Sequence, residues 1–153
     1  QEEGLLERST IYATDFNSKA LQKARKAIYS IDSIKSYTAN YQKSGGTSSF
    51  SDYYMANYNS VIIDKSLKKN IVFAEHNLVT DGVFTEANLI VCRNVLIYFD
   101  RDLQDKVLSL FNSSLIQGGF LALGTKETIQ FSTINSKFST ISKENKIFKK
   151  TSI

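Results

Sequence analysis

The stretch Leu89-Ile90-Val91-Cys92-Arg93-Asn94-Val95-Leu96-Ile97-Tyr98-Phe99-Asp100 decides the fold, because an apolar run of strand length stops at an Arg-Asn pair and then turns apolar again. Such a run reads as a buried strand, here Leu89 to Asn94. A buried strand that ends on polar groups delivers them to its carboxyl end, and in open α/β sheets ligands bind in the crevice outside those ends. The segment therefore predicts a core element and a site together.

Outward from this strand the pattern alternates between strands and helices, which favours a parallel sheet with helical crossovers. Downstream, Asp100 can cap a helix whose apolar positions Leu103, Val107, Leu110, Phe111 and Leu115 keep helical spacing, with Gly118-Gly119 as its expected end. Phe120 to Gly124 reads as a second buried strand. Phe138 to Lys143 and Lys146 to Thr151 read as a closing hairpin around Glu144-Asn145. Upstream, Ile11 to Asp15 is a short strand closing on an acid. Asn17 or Ser18 can cap the following helix, with Ala20, Leu21, Ala24, Ala27 and Ile28 as its apolar stripe. From Tyr37 to Tyr58 the composition shifts to Ser, Gly, Asn and Tyr, which predicts an insertion and not a crossover helix. Val61-Ile62-Ile63 and Ile71-Val72-Phe73-Ala74 predict a small antiparallel element leading into a core strand.

The 153 residues, 42% hydrophobic and 22% charged, fit a single soluble domain of α/β class. No apolar run approaches the roughly 20 residues that cross a bilayer, and Gln1-Glu2-Glu3 is too polar to open a signal peptide, so a cytoplasmic protein without membrane insertion is expected. One cysteine, Cys92, and one histidine, His76, exclude an internal disulfide and argue against a Cys/His metal site. Cys92 itself reads as a small buried apolar residue. The net charge of +4 is a small excess. Lys19, Lys23 and Lys26, beside Arg25, form one basic helix face that is either simply solvated or meets an acidic partner.

The segments IYATDFNSKAL (11 to 21), SFSDYY (49 to 54), FAEHNL (73 to 78), VCRNVLIYFD (91 to 100) and GGFLALGTKE (118 to 127) resemble the catalytic domain of CheR-type chemotaxis receptor methyltransferases, across essentially the whole chain. The Cys-Arg-Asn-Val-Leu-Ile-Tyr-Phe string carries most of the specificity. The resemblance implies a Rossmann-like S-adenosylmethionine-dependent methyltransferase fold with a small antiparallel β insertion, here about residues 44 to 72. It also implies an enzyme, a protein-glutamate O-methyltransferase, that esterifies glutamates on the cytoplasmic region of bacterial chemoreceptors and releases S-adenosylhomocysteine. Complete members open with a strand and a Gly-rich loop containing Gly-Glu-Glu. Gln1 to Leu6 resembles instead the end of the helix after that loop. The expectation is thus a domain lacking its first strand and Gly-rich loop, with exposed strand edges beside Ile11 to Asp15 and Leu89 to Asn94. Such edges favour self-association or a rearranged N-terminus.

By the same resemblance Asp15, Asn77, Leu78, Arg93 and Asn94 contact the cofactor, and Arg93 and Tyr98 serve the reaction. The residue types suit those tasks. A carboxylate at a strand end can accept from ribose hydroxyls, an amide can meet the polar edge of adenine, and leucine can cover its face. Each position also admits a structural role: Asp15 in the start of the next helix, Asn77 in a strand-ending turn, Arg93 in a buried ion pair, Tyr98 in the core. His76 is not required as a base, since a glutamate carboxylate, with an ordinary pKa of about 4.3, is already anionic at neutral pH. Two other functions stay open: a peptide-binding module that uses the β insertion without cofactor chemistry, and a methyltransferase acting on another substrate such as nucleic acid. For the latter only the small positive charge speaks, and no nucleic-acid partner is expected.

Overall fold

Among residues 2–152, which the computed structural model describes, the alternating pattern becomes nine β-strands and three α-helices. They fall into two compact units, Gln1–His76 and Asn77–Ile153, where composition predicts one domain. The division follows from strand pairing: no ladder joins the strands of one unit to those of the other.

In the first unit, β1 (Ile11–Asp15) runs parallel to β5 (Ile71–Glu75), in register from Ile11 opposite Ile71 to Asp15 opposite Glu75. Residues 2–10 contribute a short 3-10 turn at Leu6–Arg8 and no strand beside β1. Helix α1 (Ser18–Lys26) begins where the Asn17 side chain accepts from the N–H groups of Lys19 and Ala20. It ends at Ala27, whose φ of 52° is left-handed and whose N–H closes on the carbonyls of Lys23 and Ala24. Ala27 and Ile28 therefore leave the expected stripe: Ala27 is the buried cap, and Ile28 starts β2 (Ile28–Ser30). A left-handed alanine costs about 1–2 kcal/mol, which burial of the turn offsets. Arg25 is drawn into the unit. Its guanidinium donates to the Phe73 carbonyl at 2.8 Å and lies 5.8 Å from the Phe73 ring centre, so Arg25 is tied to β5 while remaining exposed beside Lys19, Lys23 and Lys26.

Helix α2 (Ile34–Lys43) occupies part of the interval in which the sequence predicts no helix. The reason is tertiary: Tyr41 packs its ring 5.5 Å from Phe50 and 5.9 Å from Tyr53, contacts that override weak local propensity. The Tyr41 and Tyr53 hydroxyls also donate to the Glu2 carboxylate, which holds that carboxyl down to about 2. The small sheet has β4 (Ser60–Ile63) at its centre, antiparallel to β3 (Tyr54–Asn57) and to β2. Its third strand thus comes from upstream of residues 44 to 72, and Ile71 and Val72 belong to β5. Local patterning cannot register such a long-range pairing.

In the second unit β6 (Ala87–Cys92) runs parallel to β7 (Leu115–Leu123), β7 pairs antiparallel with β9 (Ile147–Lys150), and β8 (Phe138–Ser142) closes the far edge. Helix α3 (Arg101–Ser114) starts at Asp100, whose Oδ1 accepts from the Leu103 N–H at 2.9 Å. It buries Val107, Leu108 and Phe111 against Leu121, Leu123 and Phe148. The helix stops at Ser114, earlier than expected, and Leu115 opens β7. The Gly118-Gly119 pair lies inside that strand, where the ladder slips between Ala87 opposite Leu115 and Leu89 opposite Phe120. Gly118 supplies the φ of +78° this irregularity needs. Lys150, itself buried, satisfies the helix end by donating to the carbonyls of Asn112 and Leu115 at 2.7 and 2.8 Å.

The expected full burial of Leu89 to Asn94 is overturned. Leu89 is 57% and Val91 63% exposed, whereas Cys92 is buried. Successive side chains of a strand point to opposite faces, and only the face carrying Ile90 and Cys92 packs into the core.

Candidate functional site

Asp15, Asn77, Leu78, Arg93 and Asn94 stand at or just past the carboxyl end of a strand, and Tyr98 lies further on, in the turn Leu96–Tyr98. Asp15 ends β1. Its Oδ1 accepts from the Asn17 N–H at 2.8 Å, which orients the carboxylate and tightens the entry to α1; Oδ2 has no hydrogen bond to any described residue. The structural role and a ligand role are therefore compatible, one oxygen to each. His76 follows β5, and its N–H donates to the Asp15 carbonyl at 3.2 Å, extending the ladder by one residue.

Asn77 opens the second unit in a tight turn. Its Oδ1 accepts from the Val79 N–H at 3.0 Å and its own N–H donates to Asp81 Oδ2 at 2.8 Å. This turn is the structural role foreseen for it, and it leaves the amide nitrogen as the group available to a ligand. Leu78 is half-buried and packs against the core.

Beyond β6 the chain bends at Asn94, whose φ of 60° is left-handed. Arg93 is exposed and makes no hydrogen bond or ion pair with a described residue, so the buried ion pair weighed for it is absent. Asn94 is exposed as well. Tyr98 ends the 3-10 turn Leu96–Tyr98 and is 81% exposed, with Leu96 at 2% filling the core in its place. Cys92 is buried. Burial foremost, then the charge of Glu127, pushes its thiol up to about 12, so it is a neutral apolar filler at physiological pH.

One residue of this region carries no assigned role in the sequence. Glu127 is 4% exposed, yet its carboxylate is fully used. Oε1 accepts from the N–H groups of Val95 and Leu96, each at 2.8 Å, and Oε2 from Asn94 at 3.0 Å and Gly124 at 2.5 Å. Three consecutive N–H groups, 94 to 96, thus form an anion-binding nest that the chain fills with its own side chain. Gly124 makes the approach possible: a Cβ there would lie 2.6 Å from Asn94 Oδ1, 2.7 Å from Glu127 Oε2 and 2.8 Å from the Asn94 nitrogen. The signal in the sequence is an acid three residues past a glycine that ends a buried strand.

Taken one at a time, these groups have chemistry that S-adenosylmethionine can use: in the first unit the free oxygen of Asp15 is an acceptor of the kind hydroxyls need, and in the second the Asn77 amide nitrogen is a hydrogen-bond donor and the Arg93 guanidinium a donor suited to a carboxylate. No other described charge competes for Arg93.

The family description "CheR methyltransferase, SAM binding domain" matches residues 2–147. Cher3 of Pseudomonas putida is 50% identical over 150 residues, covering 98% of this chain and 55% of its own. A chemotaxis protein methyltransferase of Vibrio parahaemolyticus is 30% identical over 127 residues, covering 82% of this chain and 44% of its own. That of Borreliella burgdorferi is 33% identical over 122 residues, with 78% and 41% covered. The chain therefore spans about half the length of the curated relatives it matches. Among solved structures, the N-methyltransferase NodS of Bradyrhizobium japonicum in complex with S-adenosyl-L-homocysteine is similar at a TM-score of 0.42, with 16% identity over 74% of this chain and 40% of that one.

Proposed function

The chain belongs to the family of CheR methyltransferase SAM-binding domains, with S-adenosylmethionine as cofactor, and from this premise we propose that the protein of which it is part esterifies glutamate side chains on the cytoplasmic region of bacterial chemoreceptors. The observation that supports this reading is the unpaired Arg93 guanidinium at the end of β6, on a turn built to hold it outward. Bound S-adenosylmethionine supplies an electrophilic methyl group on a sulfonium. By the family resemblance, the residues that would hold it are Asn77, Leu78, Arg93 and Asn94 in the second unit and Asp15 in the first. A glutamate carboxylate would be the methyl acceptor and S-adenosylhomocysteine the leaving product, with the methyl ester as the outcome. No proton moves, so His76 has no base to be. The residues contribute alignment and exclusion of water, which supply most of the rate in such a transfer. Tyr98, exposed beside that turn, orients the incoming carboxylate through its hydroxyl.

We assign receptor docking to the antiparallel sheet of the first unit. Strand β3 pairs with β4 along one edge only, and Met55 on it is 64% exposed, the form of a sheet that accepts an extended peptide as a further strand. The lysine face of α1 suits acidic segments nearby in such a partner. Among the described residues no helix is long and apolar enough to cross a membrane.

Calorimetric titration of S-adenosylmethionine tests the cofactor assignments. Asp15→Ala should weaken binding by about 1.5–3 kcal/mol, roughly 10- to 150-fold, the range for a hydrogen bond to a charged group. Arg93→Lys should abolish methyl transfer with the melting temperature moved by no more than a few degrees, because an ammonium does not reproduce the guanidinium fork. Transfer of labelled methyl to receptor fragments must give a base-labile ester. Unchanged affinity in Asp15→Ala, or a base-stable product, refutes the reading.

A further inference from the structure

We propose that Glu127 is the positioning residue of the cofactor site: its carboxylate, seated in the nest of N–H groups at 94 to 96 and on the Gly124 N–H, fixes the turn that presents Arg93 and Asn94. The inference rests on the reading of that turn as part of the site, and deepens it. The Gln104 amide braces the far side of the turn by donating to the carbonyls of Leu96 and Phe99 at 3.0 and 2.9 Å, but among the described residues only Glu127 accepts through its side chain from the N–H groups of 94 to 96. Asn94 is left-handed, a conformation that costs a non-glycine residue free energy unless its surroundings impose it. The surroundings here are four N–H donors converging on one carboxylate at 2.5 to 3.0 Å. Without Glu127 those donors would face a buried space with no acceptor. The elements packed on the group offer no competing charge: Cys92 is a neutral thiol, Leu96 and Ile129 are apolar.

The arrangement has an electrostatic consequence. An unfilled nest of three N–H groups would attract the carboxylate of the cofactor or of the substrate to the backbone. Glu127 occupies it and leaves Arg93 as the cationic group presented by this turn, so an anionic ligand group is directed to the guanidinium and not to the main chain. A positioning role through the turn differs from a purely packing role. It predicts altered ligand affinity in a protein whose core is unchanged.

S-adenosylhomocysteine titrated calorimetrically into wild-type, E127Q and E127D protein, with 1H–15N spectra of each, tests the proposal. A Gln oxygen can serve at most two of the four donors, and its NH2 opposes the rest. E127Q should keep the amide resonances of Leu121 and Phe148, shift those of Asn94, Val95, Leu96 and Gly124, and bind at least tenfold more weakly. E127D keeps the charge on a shorter arm and should recover part of that loss. A folded E127Q that binds within twofold of wild type overturns the inference. Should E127Q lose the core resonances, E127D decides: weaker binding with the core resonances retained supports positioning, while wild-type affinity, or loss of the core here too, assigns Glu127 to packing alone and overturns it. Absence of binding heat with the wild-type protein defeats the reading of the site itself, and is seen before any variant is compared.

Discussion

Replacing Gly124 by alanine probes the Glu127 turn from its opposite wall. The glycine is not in the left-handed region, so the cost is steric. The new methyl would stand 2.6 to 2.8 Å from Asn94 Oδ1, Glu127 Oε2 and the Asn94 nitrogen, all closer than real Cβ atoms approach. Two of these are held by the hydrogen bonds just described, so relief requires Oε2 to withdraw from one or both of its donors, Gly124 and Asn94. Losing one charge-assisted bond costs about 1.5–3 kcal/mol, and residual overpacking about 1–3 kcal/mol. The stiffer unfolded chain returns about 0.4–1 kcal/mol. The net expectation for Gly124→Ala is about 1.5–5.5 kcal/mol of destabilisation. Urea unfolding followed by far-ultraviolet circular dichroism measures it, from the midpoint at unchanged slope. A loss below about 0.5 kcal/mol would show that the turn yields freely and that the carboxylate is not locked, contrary to this reasoning.

Two further outcomes follow from buried groups. With its thiol pushed up from 9.0 to about 12, Cys92 should react with iodoacetamide at pH 8 about a thousandfold more slowly than a free cysteine in the same buffer; labelling at the free-thiol rate would contradict its burial. The same shift predicts a stability contribution fully present below about pH 9 and lost as pH rises toward 12, because the unfolded chain gives up this proton first; a Cys92→Ala variant should show a shallower alkaline decline. Lys150→Met removes both donors to the carbonyls of Asn112 and Leu115 at the end of α3 and should cost about 1–3 kcal/mol in a denaturant titration. Stabilisation instead would mean that desolvation of the ammonium outweighs its hydrogen bonds.

Much of this was legible in the chain because it depends on neighbours in sequence. Asn17 and Asp100 cap the helices that follow them, since a cap bond spans two or three residues. Ile11 to Asp15, Ile71 to Ala74 and the hairpin of β8 and β9 lie where β-branched runs and turn residues put them. The string from Cys92 to Phe99 identified the family by residue identity alone. Other features depend on partners far along the chain, and there local reading fails. The helix Ile34–Lys43 forms on aromatic contacts of Tyr41, and Ile28–Ser30 becomes a strand only against Ser60–Ile63. Leu89 and Val91 are apolar in sequence but face away from the core, because α3 covers a single side of the sheet. For Arg93 the sequence leaves a cofactor contact and a buried ion pair both open, and only the fold shows it exposed with no ion pair to a described residue; Glu127 has no role legible in sequence until four N–H groups from two segments converge on it. Sequence by itself determined the elements set by neighbouring residues, the family and the candidate groups for the site. Tertiary structure alone decided which of those groups are already satisfied and which are left for a ligand, since hydrogen bonding and burial are properties of what folding brings into contact.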